Sequence, residues 1–241
     1  MREAISDLNR RFGCRIFVIA LGDRKKVYAD GKVGVWAATL DEPARELNVV
    51  IIVSAGNRQP RGGLRIEEAV THFPTYLLEA DNRLCEPAGA MNVVTVGAIA
   101  HGNGLSPALA ANVGVQPITD IYHPSPFTRV GPGLAGAIKP DFIDFGGTLI
   151  YDAGVARIRG GEDVPEAGIM SLYHHPIDQL FTFASGTSYS PPPGGLQSQP
   201  GISHLSGRVR QSYRPTDLVV EILANFGNVQ RTSAAPGVPM R

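Results

Sequence analysis

Two stretches of the sequence carry residue types that could do chemistry together. Ser185-Gly186-Thr187-Ser188-Tyr189-Ser190 reads as a turn that can present a nucleophile. Val53-Ser54-Ala55-Gly56-Asn57 reads as a buried strand whose exit can present an oxyanion donor. A serine hydroxyl attacks poorly until a base takes its proton and fixed donors stabilise the oxyanion that forms. Gly186 and Thr187 permit a tight turn that places Ser188 at the opening of a following helix. There its backbone N–H, with the helix dipole behind it, would face developing negative charge. Asn57 suits the second donor role because a carboxamide donates without adding charge. Each stretch alone has a plain alternative: Gly-Thr-Ser is a common turn, and Ser-Ala-Gly-Asn an ordinary strand-to-loop exit.

The elements around these residues must form a sheet that brings them together. Ile5, Leu8 and Phe12 repeat at helical spacing over residues 4–12. A strand is expected over Arg15–Leu21, closed by Gly22-Asp23, and a helix over Val35–Leu47 with Trp36, Leu40, Ala44 and Leu47 near one face. Val49-Val50-Ile51-Ile52-Val53 is a continuous apolar run, as expected of a strand buried on both faces of a parallel sheet. Strand, helix and strand in this order read as a right-handed βαβ unit, with functional residues at the carboxyl ends of the strands. Leu21-Gly22 and Gly56-Asn57 both fall at such ends. A further strand is expected at Asn92–Ala98, ordered structure again at Lys139–Gly147, and loops over 100–135 and 155–166. Gln179–Ala184 leads into the serine turn.

Composition narrows the classes of function. The chain has 241 residues, 43% hydrophobic and 7% aromatic, enough for one α/β domain with a sizeable core. Lys plus Arg and Asp plus Glu each number 22, so no basic stripe points to nucleic acid. No apolar run reaches the roughly 18 residues that span a bilayer, and the first residues do not read as a signal peptide. The expectation is therefore a cytoplasmic protein without a membrane partner. Cys14 and Cys85 have no metal-like spacing, and the adjacent His174 and His175 have no third ligand spaced to help, so no metal is expected. Gly131-Pro132-Gly133-Leu134-Ala135-Gly136 fits a dinucleotide fingerprint by letter only. It follows no strand and opens no helix, and no cofactor is expected.

The conjunction of motifs, in this chain order, resembles the subtilisin-like serine proteases (subtilases, peptidase S8). In that family a Gly-Thr-Ser nucleophile follows an Ala-Gly-Asn oxyanion motif, and the triad runs Asp, His, Ser. Three other segments match in order: Ile19-Ala20-Leu21-Gly22-Asp23, Asn92–Ala98, and Ser125-Pro126-Phe127-Thr128-Arg129-Val130-Gly131 with Lys139-Pro140-Asp141. The family more often has Ser where Ala20 stands. The resemblance covers about residues 14–192 and implies an α/β, three-layer fold: a mostly parallel sheet with helices on both faces, incomplete at the N-terminus. It implies serine endopeptidase activity on peptide or protein substrates, with Ser188 as nucleophile and Asn57 in the oxyanion hole. Extended substrate would lie along the backbone of Ala20, Leu21, Gly22, Ala55 and Gly56. The interval from Asn57 to Ser188 is long for the family and implies insertions near 58–90 and 100–122.

Two family features are missing. His72, His101, His123, His174, His175 and His204 all follow the Leu21-Gly22 strand, and none stands in a His-Gly-Thr-His context. The expectation is a chain that begins after the Asp and His segments, whose sheet has unpaired edges and whose activity alone falls by about 10⁶. After the serine, Pro191-Pro192-Pro193-Gly194-Gly195 stands where the family continues a buried helix. Residues 1–192 thus read as a partial catalytic domain and 193–241 as an aberrant or disordered tail. A one-base frame shift in the C-rich codons is one origin for that tail; genuine divergence is the other. The alternatives to a clipped protease are a non-catalytic peptide-binding pseudoenzyme and a non-functional gene fragment.

Overall fold

The computed structural model describes residues 1–29, 31–59 and 63–191. The tail expected from residue 193 therefore lies outside the described residues. Four parallel strands form the central sheet: β1 (Ile16–Ile19), β3 (Val50–Ser54), β5 (Val94–Ile99) and β7 (Phe142–Phe145), in the order β1-β3-β5-β7. Ile16 pairs with Val50, Val53 with Thr95, and Ile99 with Phe145. This register brings the ends of β1, β3 and β5 to one edge of the sheet, where Ala20, Ala55 and Ala100 leave it.

Helix α1 (Arg2–Phe12) ends on Gly13 in the left-handed conformation, and α2 (Val35–Glu46) links β1 to β3 as the periodicity predicts. Both helices share one core. Ile5, Ala37, Leu40 and Ala44 pack with Ile19, Ile51 and Val53 from the sheet. The opposite face gathers Val50, Ile52 and Val96 with Val94 and Phe142, a cluster of strand residues alone. At β1, on that same face, Ile16 and Val18 remain 40% and 38% exposed. The continuous apolar run of β3 is accounted for: it is buried on both sides.

Three smaller sheets edge this framework. Strand β2 (Asp23–Val27) pairs antiparallel with β4 (Cys85–Glu86), and β6 (Val115–Pro117) joins β8 (Ile150–Asp152) and β9 (Arg157–Arg159). Strands β10 (Ile169–Leu172) and β11 (Phe181–Ala184) form a hairpin whose last residue hands the chain to Ser185. Strands β6 and β9 lie within the stretches expected to be loop. The segment after Asn57 carries helix α3 (Ile66–Thr71), and α4 (Pro107–Ala110) lies between β5 and β6.

Strand β1 is an edge strand of the described sheet, and its half-open face is apolar. An exposed apolar edge invites pairing with other chains. The 241-residue chain produced by itself is expected to aggregate or melt broadly. A sharp cooperative melt of soluble monomer would contradict this.

Candidate active site

The end of β3 and the turn after β11 meet through side chains. Thr187 is fully buried, and both its backbone N–H (2.7 Å) and its hydroxyl (2.8 Å) donate to Asn57 Oδ1. An N–H can only donate, so this contact fixes which end of the carboxamide is oxygen. Among the described residues the Nδ2 donor has no acceptor and is left for another. The Thr187 hydroxyl also accepts from the N–H of Gly56 (3.1 Å). Gln59 Nε2 donates to the carbonyl of Ser185 (2.8 Å), so the two segments are tied at both ends.

Two glycines are required for this approach. Gly56 has φ 97°, in the left-handed region. A Cβ on Gly186 would stand 3.0 Å from Asn57 Nδ2, so a side chain there would displace the carboxamide.

Ser188 follows the clasp and is partly exposed. Its Oγ donates to the carbonyl of Ala20 (3.3 Å), which places the turn against the end of β1. The structure thus brings Ser188 together with Asn57 through Thr187, and with Ala20 directly. Leu21, the next residue, is exposed. Gly22 and Gly56 are joined from below by the Cys85 thiol: a Cβ on either would come within 3.1 and 2.5 Å of Sγ. Ala55 is fully buried and donates its N–H to Val96 (2.8 Å), fixing the strand end.

One expectation differs. Ser188 lies in a turn closed by the Tyr189 N–H on the Gly186 carbonyl (3.1 Å), and no helix has begun by Pro191. Consecutive prolines lack the N–H groups that a helical ladder needs. Charge stabilisation by a helix dipole at Ser188 therefore has no basis among the described residues. Ser185 has a structural part that the sequence did not announce. Its buried hydroxyl accepts from Gly161 N–H (2.9 Å) and lies within hydrogen-bond distance of the Thr148 and Ala167 carbonyls, anchoring the base of the turn.

Among the described residues no histidine hydrogen-bonds Ser188. His101 sits beyond the end of β5, where burial lowers its pKa and its Nδ1 has no partner. His174 and His175 stack against Tyr173 in the β10–β11 connection. No group of three His, Cys, Asp or Glu side chains among the described residues could hold a metal. Cys14 and Cys85 are free thiols, and burial pushes the Cys85 thiol up.

The segment that follows Asn57 builds a charged support. Arg58 is 5% exposed and donates to both carboxylate oxygens of Glu68 (3.1 and 3.2 Å), itself 4% exposed. Arg65 adds a guanidinium hydrogen bond (3.0 Å) and its backbone N–H (3.0 Å) to the same carboxylate. The Arg65 side-chain bond, helped by its backbone N–H and by Arg58, holds the Glu68 carboxyl down to about 2 despite burial. A carboxylate with a depressed folded pKa stabilises fully above its unfolded value near 4.3 and loses that contribution as pH falls towards 2. Removing one partner of a buried pair also leaves a charge uncompensated. In the full-length protein, Glu68→Gln is expected to lose about 3 kcal/mol of stability at pH 7. Denaturant titrations should also show a shallower decline for the variant than for wild type between about pH 4.5 and 2. Equal stability at pH 7 with parallel acid limbs would show that the pair is not what holds the segment.

Comparison with known proteins bears on this arrangement. The description "Subtilase family" belongs to the family model that matches residues 1–193. An uncharacterized protein y4bN of Sinorhizobium fredii (strain NBRC 101917 / NGR234) is 62% identical over 234 residues, 97% of this chain and 53% of that protein. The chain thus spans about half the length of this curated relative. Among solved structures, the prenylagaramide maturation protease PagA aligns with TM-score 0.42 at 16% identity, over 89% of this chain and 51% of that one. A mutant of the PatA protease domain aligns with TM-score 0.42 at 17% identity and the same coverages. With the family model covering most of its length, the chain belongs to the subtilase family.

Proposed function

We propose that this chain supplies the nucleophile half of a subtilase catalytic centre, with Ser188 as nucleophile and Asn57 as oxyanion donor. The observation that carries this reading is the Thr187 clasp. It fixes Asn57 beside the nucleophile turn with its oxygen engaged and its N–H donors free. In the reaction, Ser188 Oγ forms a bond to the peptide carbonyl carbon while its proton passes to a base. The tetrahedral oxygen takes the negative charge and is held by Asn57 Nδ2 and the Ser188 N–H. Collapse breaks the C–N bond, the base returns the proton to the leaving amine, and water then hydrolyses the acyl-enzyme. The backbone of Ala20, Leu21 and Gly22 on one side, and of Ala55 and Gly56 on the other, borders the extended substrate. The base and the carboxylate that orients it come from outside residues 1–241. The chain's span of about half its relative leaves room for them.

A second reading is a peptide-binding pseudoenzyme. It is favoured by one contact: the Ser188 hydroxyl donates to a backbone carbonyl, where an active nucleophile would donate to a base.

A fluorophosphonate probe separates the two. In the full-length protein the probe should label Ser188, and Ser188→Ala should abolish the label. Asn57→Ala should slow labelling and turnover by about 10²–10³. The 241-residue chain alone should not label. A full-length, folded protein that stays unlabelled would leave the pseudoenzyme reading.

A further inference from the structure

Arg129 is a buried cation of this site that hydrogen-bonds no carboxylate among the described residues. It is 3% exposed and forms no ion pair among the described residues; the Asp81 carboxylate acts on it only from beyond ion-pair distance. Its guanidinium donations go to backbone carbonyls: Nη1 to Asp81 (2.9 Å) and Arg83 (2.8 Å), and Nε to Asn57 (3.4 Å). Its backbone N–H donates to the Gly56 carbonyl (3.2 Å), and its Cδ would meet a Cβ on Gly56 at 3.1 Å. One side chain therefore gathers the oxyanion strand end and the Asp81–Arg83 bend, which leads into Cys85 and β4. Burying a charge without a directly paired carboxylate is costly, and a methionine of similar length would fill the space without that cost. What methionine cannot do is draw carbonyls from two segments to one point. A guanidinium can, because its donors diverge in a fixed plane.

We infer that Arg129 is a positioning residue for the oxyanion donor: it holds the Asn57 main chain from beneath while Thr187 holds the carboxamide from above. The role assigned to Asn57 rests on the function proposed above; the clamp itself rests on the contacts of Arg129. Neighbouring protections report on the clamp, since Gly56 N–H donates to Thr187 Oγ1 and Arg58 N–H to the Phe127 carbonyl (2.8 Å). On the far side, Leu84 N–H donates to the Val130 carbonyl (2.9 Å).

The test uses the full-length protein with Arg129→Met and Arg129→Lys, and two independent measurements. Amide hydrogen exchange should rise about tenfold or more at residues 55–58 and 82–84 in both variants, with β5 unchanged as the control for folding. Peptide turnover should fall about tenfold or more in Arg129→Met with KM within about twofold, and less in Arg129→Lys. Unchanged exchange at residues 55–58 in a folded variant overturns the clamp, whatever the turnover. Raised exchange with unchanged kcat overturns the positioning role. If Arg129→Met does not fold, Arg129→Lys decides by the same two readings. A wild-type protein that never labels at Ser188 overturns the catalytic reading of Asn57, and with it the positioning role. In that case exchange still decides whether the clamp exists.

Discussion

The Asn57 carboxamide is where the chain's longest-range commitments converge. Its oxygen takes two hydrogen bonds from Thr187 across 130 residues of sequence, and this joins the exit of a parallel strand to a turn delivered by an antiparallel hairpin. Most other features of the site follow from that contact. Thr187 must be buried for its bonds to escape competition with water, and Gly186 must lack a side chain for the carboxamide to approach. The Thr187 hydroxyl must also satisfy the Gly56 N–H, which the left-handed turn leaves without a strand partner. The sheet registers β1, β3 and β5, but it does not aim the carboxamide.

Support from beneath uses charge where a hydrophobic core would suffice for stability alone. Arg58 and Glu68 form a buried pair within the segment after Asn57, with Arg65 reaching the same carboxylate. Tyr76 stacks near Arg58 and donates its hydroxyl to the Pro126 carbonyl, so the pair is closed in by the segment that also carries Arg129. Buried ion pairs add little net stability over apolar packing, but removing one partner is severe. They hold one geometry and penalise others, which keeps the segment after Asn57 in a single arrangement.

The sequence made the framework legible because its signals are local. Helical spacing over 4–12 and 35–47, and the apolar run at 49–53, led to α1, α2 and β3 with boundaries shifted by one or two residues. Ser188 and Asn57 were visible through short motifs whose residue types carry their own chemical reason. The Thr187 clasp, the Gln59 tie and the carbonyl contacts of Arg129 were not, since each links residues tens to more than a hundred positions apart through polar atoms that leave no periodicity. Strands β2, β4, β6, β8, β9 and β10 were missed for a related reason: they are two to five residues long and too short to show alternation. The helix opening expected at Ser188 was in conflict with Pro191-Pro192-Pro193 immediately after it, and the prolines, whose missing N–H groups act against an opening turn, prevailed.

The coupling between Asn57 and Thr187 is measured most directly by a double-mutant cycle on stability, with Asn57→Ala, Thr187→Val and the double variant in the full-length protein. If the carboxamide and the threonine form one clasp, the two losses are non-additive, with an interaction of about 1 kcal/mol or more. Additive losses, within about 0.3 kcal/mol, would mean that the strand exit and the nucleophile turn are held separately. The central claim would then fail.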